Sequence, residues 1–298
     1  MSSDFYQIEL PDVDFATMPE FSAKVRWRMQ YDRNPLFPIL QDKIAVKAYA
    51  HDRGVATPRM HFVTTNPELI PFDQLPERCF IKANHGSAWN FLVDAGNYYY
   101  FGTGKELLDD RGKLIEDAVA SVLHVSRDKL IDMCKQMLVT RFAPEEWAYQ
   151  PIVPQIFVED MVEASDGSEL MDYRCFVFNG VVRMISVGSA SFRKREENVF
   201  FTPDWRPIAL TAYREQLPTP LPERPAKLQE ITNAAEKLGK GVDFLRVDFY
   251  HSTRGVLLGE VTIYPGGGES NKPTACPRFN RWLGNFWKHP GHANTKWD

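Results

Sequence analysis

Phe244-Leu-Arg-Val-Asp-Phe-Tyr250, followed by Gly259-Glu-Val-Thr-Ile-Tyr-Pro-Gly-Gly-Gly268, decides the fold of this 298-residue chain. The alternation predicts two strands. Arg246 and Asp248 lie two apart in the first, Glu260 and Thr262 two apart in the second, so each pair shares a face. Two carboxylates converging beside an arginine, with a glycine turn just beyond, are costly to bury without a cation. A hard divalent ion such as magnesium, carrying nucleotide phosphates, offsets that cost. The set points to a nucleotide-using enzyme; the competing reading is a structural salt-bridge network between two strands.

Working outward, Asp172-Tyr-Arg-Cys-Phe-Val-Phe178 and Val181–Val187 predict a hairpin around Asn179-Gly180, the favoured two-residue turn. Arg174 in the first of these strands suits a phosphate or carboxylate, or else a local pair with Asp172. Pro154–Val162 reads as a buried strand ending in the acids Glu159 and Asp160. Cys79–Ala83 and Asn90–Asp94 predict a hairpin whose tip carries His85-Gly-Ser-Ala88. Lys82 leaves that apolar strand and requires an anion, unless it lies on an exposed edge; Gly86 and Ser87 can bring backbone N–H groups to phosphate oxygens. Helices are expected in two pieces over residues 17–54, from Gly112 to Leu138, and from Pro225 to Gly239. Residues 188–224 read as irregular, with a charged run at Arg193-Lys194-Arg195. A mostly antiparallel α+β protein follows.

Composition narrows the class. Apolar residues make up 44% of the chain and the net charge is −4, without a basic stripe. That favours a globular fold of one large domain or two coupled lobes and argues against nucleic-acid binding. No apolar run is long enough to cross a bilayer, and Met1-Ser-Ser-Asp-Phe-Tyr-Gln7 lacks the regions of a signal peptide, so a cytoplasmic location is expected. Cys79, Cys134, Cys175 and Cys276 are scattered and read as reduced thiols. No HExxH, P-loop or GxGxxG pattern occurs, and His289 and His292 are given no role.

In order, Asp42-Lys43, Lys82-Ala-Asn-His-Gly-Ser87, Val158–Met161, Asp172–Gly180, Arg246–Asp248 and Gly259–Gly266 resemble the ATP-grasp superfamily, and within it the TupA-like branch. The resemblance covers about residues 40–268. It implies an ATP-grasp fold, two α/β lobes with mostly antiparallel sheets clamping a nucleotide. The division expected is 1–65 for an N-terminal region, 66–165 for a small lobe with the phosphate-covering hairpin, and 166–298 for a large lobe with the metal site.

The resemblance also implies roles. Lys43 and Lys82 would contact ATP phosphates, covered by Gly86 and Ser87. Glu159 would meet the adenine amino group and backbone at Met161 or Val162 the ring edge. Either Asp172 or Glu163 would hold the ribose. Asp248 and Glu260 would bind magnesium, with Thr262 standing where many relatives carry Asn. Arg246, with Arg174, would stabilise the transferred phosphoryl group. The implied cofactors are ATP and Mg2+, and the implied reaction is an ADP-forming carboxylate–amine ligation through an acyl phosphate. Alternatives are a small-molecule or sugar kinase on the same scaffold, or a non-catalytic nucleotide- or glycan-binding protein. The partners expected are a carboxylate (small molecule, saccharide or peptide) and an amine, gripped in part by Arg193, Lys194, Arg195 or Arg278. Too few residues precede Lys43 for a separate N-terminal domain, which leaves residues 1–40 and 269–298 to build the substrate surface.

Overall fold

Two antiparallel sheets frame the protein. A computed structural model describes residues 15–100, 123–164, 170–189, 199–208, 220–269 and 274–288. Arg193-Lys194-Arg195, His289, His292 and the start of the helix expected from Gly112 lie outside the described residues.

The first sheet runs β1 (Met60–Thr64), β6 (Ile156–Asp160), β2 (Arg78–Ala83), β3 (Asn90–Asp94), β4 (Asn97–Tyr100) and β5 (Leu123–Val125), every neighbouring pair antiparallel. The second runs β11 (Gly255–Thr262), β10 (Phe244–Ser252), β7 (Met171–Phe178), β8 (Val181–Ser189) and β9 (Val199–Phe201), also antiparallel throughout. The expected hairpin between β7 and β8 forms. Asn179 at φ 49° and Gly180 at φ 74° both take the left-handed conformation that a type I′ turn demands.

Each sheet has one face covered by a helix. Helix α4 (Arg127–Val139) lays Leu130, Met133, Cys134 and Met137 in the same buried cluster as Cys79, Ile81 and Ala83 of β2. Helix α5 (Leu228–Gly239) packs on β7, β8 and β10 through Leu228, Ile231, Ala235 and Leu238. Gly239 permits that approach, since a Cβ there would fall 2.5 Å from Val177. The opposite faces of the two sheets carry the polar side chains described below.

Helices α1 (Phe21–Tyr31), α2 (Leu36–Gln41) and α3 (Ala45–His51) replace the two helical pieces expected over residues 17–54. Pro38 does not break α2, because it occupies the first turn, where an N–H has no intrahelical partner. The expected helix from Gly112 is corrected where it is described. Residues 123–125 form β5, with Val125 opposite Tyr98, and the helix starts only after Ser126, whose side chain caps the Lys129 N–H at 3.2 Å. Strands β4 and β9 and helix α6 (Pro277–Gly284) were not expected from the sequence.

The described parts of the two terminal segments build core. Phe21 of α1 meets Phe244 at 5.0 Å between ring centroids and Trp287 at 5.8 Å. Arg28 is fully buried, donating to the Phe244 carbonyl at 2.9 Å and the Ile263 carbonyl at 3.2 Å and pairing with Asp243. Trp287 donates to the other Asp243 oxygen at 2.6 Å. This end of the second sheet is therefore sealed by α1 and the C-terminal segment. The same face stays open at its other end.

Candidate active site

Register places the decisive side chains on that open end. Across β10 and β7, Phe244 faces Phe178, Arg246 faces Phe176, Asp248 faces Arg174, and Tyr250 faces Asp172. Across β10 and β11, Arg246 faces Thr262 and Asp248 faces Glu260. Cross-strand partners share a face, so Asp172, Arg174, Arg246, Asp248, Tyr250, Glu260 and Thr262 form one patch. The pairs Phe244–Phe178, Arg246–Phe176 and Asp248–Arg174 show the transition from sealed core to polar site along β10.

Charges in the patch alternate. Arg246 grips Asp248 with two hydrogen bonds, Nε to Oδ1 at 2.9 Å and Nη2 to Oδ2 at 2.7 Å. Its Nη2 is also 3.5 Å from Glu260 Oε2. Arg174 donates from Nε to Asp172 Oδ2 at 2.8 Å and stands 3.9 Å from Asp248. Asp172 Oδ1 is buried with no partner among the described residues, an arrangement that costs about 1–3 kcal/mol in a closed site. Burial, then the neighbouring Asp248 charge, pushes the Asp172 carboxyl up to about 7 despite Arg174 and Arg246. Burial also raises Asp248, against the pull of Arg246. This face carries more negative charge than its own cations neutralise.

The first sheet answers with the opposite sign. Phe80, Lys82, Phe157 and Glu159 occupy the face away from α4, with Lys82 opposite Phe157 and Phe80 opposite Glu159. Glu159 is 6% exposed. Its Oε1 accepts from Lys82 at 2.6 Å and its Oε2 from Lys47 of α3 at 2.7 Å. Burial would raise this carboxyl, but Lys82 and Lys47 outweigh it and hold it at about 2. Two ammonium groups on one carboxylate leave a net positive charge. Lys47, in the first turn of α3, was missed in the sequence, although it lies only four residues from Lys43.

Lys43 links the two faces. It stands 3.4 Å from Glu260 Oε1 and donates to the Gly86 carbonyl. Burial favours protonation of Glu260, yet Lys43 and Arg246 outweigh that and lower its carboxyl. The position of Lys43 is fixed by a knot around Asn84, which is completely buried. Asn84 donates to Asp42 and to the Val153 carbonyl, both at 3.1 Å, and accepts from the Gln155 N–H at 2.8 Å. Asp42 in turn accepts from the Ile44 N–H at 2.8 Å, and Lys43 N–H donates to the Asn84 carbonyl at 3.0 Å. His85 faces inward too, its Nε2 3.1 Å from the Met137 carbonyl, and burial lowers its pKa. In Lys82–Ser87, therefore, Lys82 serves the cleft while Asn84 and His85 anchor the loop. Gly86 is required because a Cβ would meet the Trp89 indole at 2.6 Å, and Ser87 at the tip is exposed.

Met161 and Val162 follow β6 and are partly exposed. Glu163 pairs with Arg78 at the exposed edge, whereas Asp172 lies within the patch. At the far side, Glu146 lies near the glycine turn, and burial, then Glu145 and Glu260, raises it to about 8. Gly266, Gly267 and Gly268 of that turn all take positive φ, and Gly268 lies so close to α1 that a Cβ would fall 2.7 Å from Arg26.

A divalent cation fits Asp248 and Glu260. They are hard oxygen donors facing each other across the ladder, among acids whose repulsion a cation relieves. No group of three or more His, Cys, Asp or Glu side chains is gathered as a metal cage among the described residues. Magnesium characteristically takes one or two carboxylates and completes its shell with water and phosphate oxygens.

Two comparisons with known proteins bear on the chain. The TupA-like ATPgrasp family matches residues 109–288, more than half of it. No curated protein sequence matches. Among solved structures, D-alanine–D-alanine ligase from Bacillus anthracis complexed with ATP is 15% identical at TM-score 0.45, covering 84% of this chain and 63% of that one. The ATP-grasp ligase PsnB complexed with minimal precursor, Mg and ADP is 14% identical at TM-score 0.40, covering 90% and 66%. N5-carboxyaminoimidazole synthetase from Staphylococcus aureus complexed with ADP is 10% identical at TM-score 0.43, covering 84% and 52%. The chain spans less than two thirds of the length of the D-alanine–D-alanine ligases it is similar to.

Proposed function

The chain belongs to the TupA-like ATP-grasp family, and from that premise we propose that it is an ADP-forming, ATP-dependent carboxylate–amine ligase of the cytoplasm. The observation that carries this reading is the charge asymmetry of the cleft. One wall holds Lys82 and Lys47 on a single carboxylate; the other holds Asp172, Asp248 and Glu260 with only two arginines on its own sheet, Lys43 reaching Glu260 from the start of α3. A triphosphate carrying magnesium complements both walls at once.

In this reading Lys82 and Lys47 hold phosphate oxygens from the small-lobe side, and Lys43 holds them from the N-terminus of α3. Gly86 and Ser87 cover them. Met161 and Val162 offer backbone to the ring edge, and Asp172 is the better placed of the two ribose candidates because it faces the patch. Magnesium, held by Asp248 and Glu260 with Thr262 beside them, neutralises charge on the phosphates. Arg246 lies against both carboxylates and supports the charge that builds as a substrate carboxylate oxygen attacks the γ-phosphorus. Breaking the γ-phosphoryl bond to ADP gives an acyl phosphate, and an amine then displaces phosphate to leave an amide. The two lobes correspond to residues 66–165 and 166–298, preceded by the N-terminal region 1–65.

ADP release tests the reading. Purified protein with ATP, magnesium and pools of amino acids and uronic acids is expected to release ADP with at least one pool. Release in the Glu260→Ala variant at the wild-type rate overturns the metal and nucleotide assignment.

A further inference from the structure

The turn that joins β10 to β11 is docked on the first sheet. Ser252, which is buried, shapes it: its Oγ accepts from the Arg254 N–H at 3.1 Å and donates to the Gly255 carbonyl at 2.9 Å. Gly255 takes φ 100°, which a residue without a side chain adopts readily. Arg254 is left at the surface.

The chain leaves β6 at Asp160 and passes through Met161 to Ala164 on its way to β7 of the other sheet. The turn grips this crossing segment at three points. Ala164 forms an antiparallel bridge with Ser252, the Thr253 N–H donates to the Glu163 carbonyl at 3.4 Å, and Arg254 Nη1 donates to Asp160 Oδ2 at 2.5 Å. The other Asp160 oxygen lies against His61 Nε2 of β1, so both oxygens are engaged.

An exposed ion pair contributes little to stability on its own. What sets this one apart is what it joins. Its partners are 94 residues apart, one on each sheet, and Asp160 directly precedes Met161 and Val162. Along the same hairpin, Asp248 stands four residues from Ser252, about 13 Å, with Glu260 opposite it. That is the scale over which a nucleoside triphosphate extends from its base to its terminal phosphates.

We propose that Arg254 is a positioning residue. Through Asp160 it fixes the spacing between the segment that meets the base and the acids that hold the metal, so that one nucleotide engages both ends of the cleft. The proposal rests on the nucleotide-site reading above. A ligand held at two ends loses affinity when their spacing relaxes, whereas a ligand held at one end does not.

Calorimetric titration of the full chain with magnesium and either ATP or inorganic tripolyphosphate tests it. Arg254→Ala should weaken ATP binding about 5- to 50-fold, while tripolyphosphate binds as in wild type. Asp160→Ala should match that loss, and the double variant should lose no more than either alone. Arg254→Lys, which keeps the charge, should recover part of it. Unchanged ATP binding in Arg254→Ala, or equal losses for ATP and tripolyphosphate, overturn the latch. Additive losses in the double variant, or no recovery in Arg254→Lys, overturn it as well. So does a wild type that binds ATP but not tripolyphosphate, since the cleft then has no phosphate end that binds by itself. If wild type binds neither, the nucleotide-site reading itself falls, and this proposal with it.

Discussion

Glu159 and Asp172 are both more than nine-tenths buried carboxylates, each on the cleft face of a sheet, each in contact with basic side chains. Their titration differs by several orders of magnitude: Glu159 is held at about 2, Asp172 raised to about 7. The cause is the local count of charges. Glu159 sits between two ammonium groups with no second acid bonded to them, whereas Asp172 shares its arginines with Asp248. The first wall has a cation to spare, whereas the second sheet has three acids to two arginines of its own and relies on Lys43 beside Glu260. Neither wall is a self-contained salt-bridge network of the kind that serves structure alone. Arg28, Asp243 and Trp287 make such a network at the sealed end, each of them buried.

The largest effect should come from the anionic wall. Glu260→Ala is expected to reduce ADP formation about 1,000-fold with the circular dichroism spectrum retained, since Glu260 is partly exposed and holds no core element together. A coupled ADP assay reads this directly. On the cationic wall, Lys82→Met should reduce turnover about 100-fold, and Lys47→Met by less, because Lys82 would remain on Glu159. Equal losses at both lysines would show that the wall acts only through its summed charge.

Next comes the knot behind the wall. Asn84→Ala removes a buried amide with three partners on two segments, and should destabilise by about 2–3 kcal/mol in urea unfolding. The same variant should raise the KM for ATP, because Asn84 fixes the backbone of Lys43. Unchanged urea stability would contradict the anchoring role.

The smallest effect is in the pH dependence of stability. Glu159 is depressed, so its contribution is present above its unfolded value near ~4.3 and lost as pH falls toward about 2. Asp32, raised to about 7 by burial and then by Asp243, behaves oppositely. Its contribution is full below its unfolded value near ~3.9 and is lost as pH rises through 7. Asp32→Asn should therefore flatten the fall in thermal stability between about pH 4 and 7. Magnesium and ATP should leave that slope alone, because Asp32 is packed by Arg28 and Asn34 at the sealed end. A slope that changed with ligand would tie the two ends together.

Much of this was legible in the sequence where period and turn chemistry agree. The alternation of Arg246, Asp248, Glu260 and Thr262 gave the shared face, and Asn179-Gly180 gave the hairpin. Lys82 emerges from its strand onto the cleft side as the alternation requires. What the sequence did not yield depends on tertiary partners. Lys47 is an ordinary surface helix residue until Glu159 is brought to it. Gly259 looks like a strand glycine until a bulge between β10 and β11 brings the Tyr250 ring against it. The short strands β4, β5 and β9 have weak patterns of their own and are held by neighbouring ladders. The terminal segments expected to build a substrate surface supply Phe21, Phe279 and Trp287 to the core in their described parts. Packing accounts for these three aromatic side chains. Among the described residues no helix is long and apolar enough to cross a membrane.

The measurement that tests the central claim most directly is trapping with hydroxylamine. Protein, ATP, magnesium and the carboxylate pool that releases ADP are incubated with hydroxylamine, and the products are analysed by mass spectrometry. A hydroxamate of the substrate carboxylate, formed with one ADP per trapped acyl group and absent from Glu260→Ala, is the predicted result. ADP release accompanied by a stable phosphate ester and no hydroxamate would contradict the account and make the protein a kinase.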